Sequence, residues 1–192
     1  MSEPEETFYT ADRWQNWLDR VAEEDLDPEN EDSARLLLNL QDDTAIAVVK
    51  ILAAYDDDQL SEDEATDEIA DIRDIVLADV DIADEEKAML IDGVQTSLVC
   101  VFYAAEEYVV GGPADEGTVA EYVEAAAAAE AEEDVDAALG YLVQAGTRII
   151  DGDELPMDLV EDLEYGFVSE WVNGLDSLQS AMADPEVVEE DG

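Results

Sequence analysis

From Glu85 to Val110 the chain reads EEKAMLIDGVQTSLVCVFYAAEEYVV. Both ends of this stretch are amphipathic, and its middle, Leu98 to Ala105, is an unbroken apolar run. A helix that is apolar all round is normally buried on all sides. The stretch therefore predicts the central helix of an all-α domain, with the other helices wrapped round it. Asp81 and Asp84 are N-cap candidates ahead of it, and Glu85 and Glu86 suit its positive N-terminal end. Gly93 lies inside it, where glycine costs ~1 kcal/mol against alanine; we expect a neighbouring helix to approach closely there. Gly111-Gly112-Pro113 is a stop signal.

Upstream, Thr10 is an N-cap candidate, and Trp14, Trp17, Leu18 and Val21 share one helical face. That helix should stop before Asp27-Pro28, and Met1 to Glu6 reads as a solvated tail. A second helix is expected from about Ser33 to Tyr55, nearly as apolar as the central one but interrupted at Gln41-Asp42-Asp43-Thr44. The central helix has a matching interruption at Asp92 and at Gln95-Thr96-Ser97. If the two pack antiparallel, Asp42, Asp43, Asp92, Gln95 and Thr96 can meet in one polar layer. Its plainer reading is a set of mutually satisfied hydrogen bonds; its functional reading is a small polar pocket. The acidic run from Asp56 to Glu64 is not an EF-hand loop, because the required carboxylates and turn glycine are missing. It reads as a turn followed by a capping box, Ser61 with Glu64, ahead of a third helix with Ala65, Ile69, Ile72 and Val76 inward.

Downstream, Val119, Tyr122, Val123 and Ala126 mark a fifth helix, and Val135, Ala138, Leu139, Leu142, Gly146 and Ile149 a sixth. The pair is similar to one tetratricopeptide repeat, with Ala126, Ala129, Ala138, Leu142 and Ala145 at the small and apolar positions. No second copy is visible, and such arrays need about three. Pro156 is placed for a first helical turn. A last helix over 157–182 carries Val160, Leu163, Phe167, Trp171, Leu175, Leu178 and Met182 as a seam, which either closes the bundle or pairs with a second chain as a homodimer. The expectation is one all-helical domain of about six or seven helices over 1–184, in sub-layers 10–110 and 118–184, with an acidic tail over 185–192.

The 192 residues hold 55 acidic against 7 basic side chains, no histidine and one cysteine, for a net charge of −48. Such a chain repels itself in dilute buffer, and the repulsion is largely screened at ~1 M salt, where the Debye length is ~3 Å. The acidity thus reads as adaptation to the molar-salt cytosol of an extreme halophile. The seven cations are scattered and form no basic patch, which argues against direct nucleic-acid binding. A lone cysteine fits a reducing compartment. No signal peptide is visible, and the longest uninterrupted apolar run is far short of the roughly 18 residues of a spanning segment. We expect a cytoplasmic protein without membrane association.

Chemistry is sparse. Without histidine, Ser-His and Cys-His mechanisms and the commonest metal ligand are excluded by composition. Cys100 lies among apolar residues, where a thiol is inert, and no phosphate-binding glycine motif occurs. No catalytic residue and no cofactor is expected. Three features suggest a protein partner instead: the tryptophans Trp14, Trp17 and Trp171, a residue type enriched at binding hot spots; the repeat-like hairpin; and the final seam. The plainer reading of the tryptophans is core. Two alternatives are a small-ligand or divalent-cation protein using the polar layer, and an acidic nucleic-acid mimic.

Five segments, RWQNWLDR (13–20), ENEDSARLLLNLQDD (29–43), IDGVQTSLVCVFYAAEEYVV (91–110), GTRIIDGDEL (146–155) and WVNGLDSLQSAM (171–182), carry a resemblance. Over nearly its whole length the chain resembles an archaeal, mainly haloarchaeal, family of uncharacterised proteins, domain of unknown function 2150. That resemblance implies a haloarchaeal cytoplasmic origin and brings no activity, ligand or catalytic residue.

Overall fold

The computed structural model describes residues 10–23, 31–78, 80, 82–164 and 166–183. These form eight helices and no strand: α1 (Ala11–Glu23), α2 (Glu31–Asp56), α3 (Glu62–Val76), α4 (Glu85–Gly111), α5 (Val119–Ala131), α6 (Val135–Ile150), α7 (Met157–Glu161) and α8 (Phe167–Ala183). The N-terminal and C-terminal tails, the stop before Asp27-Pro28 and the cap at Asp81 fall outside the described residues.

Local signals set most helix starts. The Thr10 hydroxyl accepts from the Arg13 N–H at 3.1 Å. Ser61 and Glu64 form the reciprocal capping box at the head of α3. Asp84 accepts from the backbone of Glu86 and Lys87 ahead of α4. Thr118 and Asp134 cap α5 and α6 with their side chains. Each such cap satisfies a donor that a helix end leaves without an intrahelical partner.

α4 is the central helix, packed against α2, α3, α6 and α8. Leu98, Cys100, Val101, Phe102, Ala104 and Ala105 are buried. It is not covered all round, however: Tyr103 comes to the surface, where the Arg73 guanidinium lies 5.9 Å from its ring centre. By length and mean hydropathy (1.5) α4 is also apolar enough to cross a membrane, and half of its most apolar stretch is buried inside the protein. Counting uninterrupted apolar residues had missed this, because Gly93 and the polar residues 95–97 break the run without lowering the average far.

The close helix approach expected at Gly93 occurs elsewhere. A side chain at Gly93 would meet only the Glu170 carboxylate, at an ordinary 3.8 Å. Gly174 of α8 lies directly on the Ser97 carbonyl of α4, and Gly146 of α6 lies on Ala104, so that a β-carbon at either would collide. These two glycines let α6 and α8 close on the central helix. α5 and α6 form the expected hairpin, with Ala126, Ala129, Ala138, Leu142 and Ala145 buried. Its second helix packs on α4 and α8, which makes the pair part of the bundle.

The single helix expected over 157–182 is two, α7 and α8. Gly166 marks the break. Its missing side chain admits the Glu130 carboxylate from α5, which accepts from the Val168 N–H at 3.2 Å, while Ser169 bonds back to Gly166. α8 thus starts on a cap supplied largely by another helix.

Candidate functional site

The polar residues read as one layer are parted among three neighbours. Asp43 is buried and faces α1: its carboxylate takes both arms of the Arg13 guanidinium, with Nε at 2.7 Å, and the Trp17 indole N–H at 2.9 Å. Asp42 faces α8, where it bonds Ser177 and meets the charge of Asp176. Burial pushes the Asp42 carboxyl above its ordinary range, and the nearby Asp176 carboxylate adds to the rise. Burial raises Asp176 as well. Gln95 turns to α3 and donates to the carbonyls of Val76 and Ala78, closing that helix's end. Thr96 bonds back to the Asp92 carbonyl, and the Asp92 side chain is exposed. α2 and α4 therefore share no layer made of Asp42, Asp43, Asp92, Gln95 and Thr96. Helical periodicity gave each residue a face but not the neighbour that face would meet.

The tryptophans are largely internal. Trp14 and Trp171 are buried. Trp17 is half-buried, hydrogen-bonded to Asp43 and covered by the Arg20 guanidinium 4.7 Å above its ring. The seam is also turned inward: Trp171, Leu175 and Leu178 are buried, in a helix packed on α2, α4, α5 and α6. At its start Phe167 is half-exposed and stacks on Trp171, with ring centres 5.6 Å apart.

The structure instead opens a groove where α2, α4 and α8 diverge. Its volume is about 300 Å³, and it is lined by Leu37, Leu38 and Gln41 of α2, Leu90, Gly93, Val94 and Ser97 of α4, and Glu170 and Asn173 of α8. Leu38 is 48% and Leu90 37% exposed at the mouth. The polar groups of the floor are engaged: Gln41 donates to Ser177 Oγ at 2.8 Å and to the Asn173 carbonyl at 3.2 Å, and Ser97 Oγ bonds the Gly93 carbonyl. What the groove offers is thus chiefly aliphatic surface. A sequence signal for it existed. Leu36-Leu37-Leu38 and Met89-Leu90-Ile91 are runs of consecutive apolar residues, and three in succession sweep about 200° of a helix, wider than a core stripe needs. Some of each run had to face outward.

Burial drives the Cys100 thiol far above its ordinary range, which keeps it protonated and unreactive. Among the described residues no group of three or more potential metal ligands converges.

The described residues define an all-helical bundle around a largely buried central helix, with an apolar groove between α2, α4 and α8. The chain belongs to the family described as uncharacterised proteins conserved in archaea, domain of unknown function 2150, whose model matches residues 7–191. No curated protein and no solved structure matches it.

Proposed function

We propose that the chain is a non-enzymatic adaptor or regulatory protein, working in the cytoplasm of an extreme halophile, that holds an apolar segment of another protein in the groove between α2, α4 and α8. One observation carries this reading. Leu38 and Leu90 present part-exposed aliphatic surface at the mouth of an open groove whose polar floor is already satisfied. Exposed apolar surface gathered at one place marks interaction sites, and a groove between helices suits an amphipathic segment of a partner. The tryptophans follow their plainer reading, with Trp14 and Trp171 in the core and Trp17 packed against it, so the proposed binding surface rests on other residues.

The test is a tagged pull-down kept in about 1 M KCl, where screening protects the fold, comparing the native chain with a Leu38→Asp/Leu90→Asp variant. A stoichiometric partner, retained by the native chain and lost by the variant at an unchanged melting temperature, is the expected result. A partner retained equally by both would move the binding surface elsewhere. A bait that recovers nothing would remove the reading.

A further inference from the structure

Resting on that reading, we propose that the segment held in the groove is basic: apolar anchors flanked by lysine or arginine, with a cation seated over Asp42 and Asp176. The groove has an acidic edge. Glu170 is the one ionisable residue in its lining, and Asp92 is exposed beside Gly93. At the Gln41 and Asn173 end, the next residue along α2 is Asp42, and one turn along α8 is Asp176. The two helices meet there through the Gln41 hydrogen bonds to Ser177 and to the Asn173 carbonyl, and the Asp176 carboxylate acts on Asp42 across that contact. The influences on Asp42 are burial, the Ser177 hydroxyl and a second carboxylate, with no cation among them. Burial holds both groups above their ordinary range, and the nearby Asp176 carboxylate adds to the rise at Asp42. A guanidinium or ammonium arriving there would relieve both.

The chain's own cations do little to compensate. Arg13 is clasped to Asp43, Arg73 to Glu106 and Arg148 to Asp153. Lys87, one turn before the groove on α4, donates to the Ala22 carbonyl at 2.8 Å. Arg35, exposed a turn before Leu38, is the basic residue on the approach along α2; it puts any acidic residue of the partner at the end away from Asp42 and Asp176. An apolar floor with an acidic edge selects a segment of matching pattern, because complementary charge fixes register and rejects wrong partners.

Two synthetic helical peptides of about 14 residues test this. They share the same leucine face and differ only in lysine or glutamate on its flanks. Binding to the full chain is read by fluorescence anisotropy in about 1 M KCl. The lysine peptide should bind about tenfold more tightly than the glutamate peptide. Leu38→Asp/Leu90→Asp should weaken it about tenfold although it adds negative charge, and Asp42→Asn/Asp176→Asn should weaken it about threefold or more. Equal binding of both peptides, lost in the leucine variant, would overturn the basic partner and leave the groove reading intact. Lysine-peptide binding unaffected by the leucine variant would show diffuse attraction to an acidic protein and overturn the proposal. Binding of neither peptide would overturn both. Circular dichroism of each variant at the same salt separates lost binding from lost fold.

Discussion

Asp43 is the most demanding residue in the chain. Its side chain is 1% exposed, while that of its partner Arg13 is 48% exposed. The two halves of the pair are therefore unequal. Removing Arg13 strands a carboxylate out of water, with the Trp17 indole N–H still donating to it. Removing Asp43 leaves a guanidinium already half in solvent. Arg13→Ala should cost about 3 kcal/mol, toward the range for breaking a buried pair, and Asp43→Ala about 1–2 kcal/mol for the unmade bonds. Chemical denaturation of both variants in molar KCl checks the order. An Asp43→Ala loss as large as that of Arg13→Ala would mean that the carboxylate is not the desolvated partner. The sequence showed that a polar interruption existed in α2, since four polar residues in an apolar helix are plain to see. It did not show that Asp43 belongs to α1, because the match is made by two side chains about thirty residues away whose spacing reads equally well as a simple amphipathic face.

At the scale of the helix, local and remote causes separate cleanly. The box of Ser61 with Glu64 and the cap at Asp84 were legible because donor and acceptor lie within three residues. The break before α8 was not legible, because its cap comes from Glu130 on α5 and the apolar spacing from Val160 to Leu178 runs on through it. Glycines followed the same division. Gly93 was singled out for its position in the central helix, yet the backbone contact is made by Gly174, which sequence gives no reason to prefer. Gly174→Ala drives a methyl group into the Ser97 carbonyl, and α8 can yield only by moving off α4. We expect a loss of about 2–3 kcal/mol, in the range for overpacking, whereas Gly93→Ala should be neutral or stabilising by up to ~1 kcal/mol. Thermal melts of the two variants would decide it, and equal losses would count against the close contact. The groove was half legible: the triple apolar runs announced excess apolar surface, but their meeting beside α8 depends on how three helices cross.

For the whole molecule, charge governs behaviour. A net charge of −48 over 192 residues opposes compaction wherever it is unscreened. Raising KCl from about 0.1 M to 2 M, which takes the Debye length from ~10 Å to below ~3 Å, should lift the melting temperature by about 10 °C. For a chain of this size that corresponds to roughly 3–4 kcal/mol. A melting temperature that did not move with salt would show that the acidic groups are spread too thinly to repel, and would remove the basis for reading the composition as adaptation to a saline cytosol. The fold class was legible at this scale, because periodicity and apolar content belong to the chain as a whole. The groove was not legible at this scale, because it lies in the space left between helices.

The internal use of the cations has a practical consequence. Arg73 and Arg148 each fasten one helix to a neighbouring element, through Glu106 and through the Ala114 carbonyl, and no lysine or arginine occurs between Lys87 and Arg148. The places where trypsin can cut are thus largely the places where the bundle is pinned. The protease meets no site within α4 beyond Lys87, none in α5, and none in α6 before Arg148. Cleavage at Arg73 or Arg148 must wait for the bundle to open, so its rate is a clock for that opening. The hub of the fold would leave a digest as one long fragment.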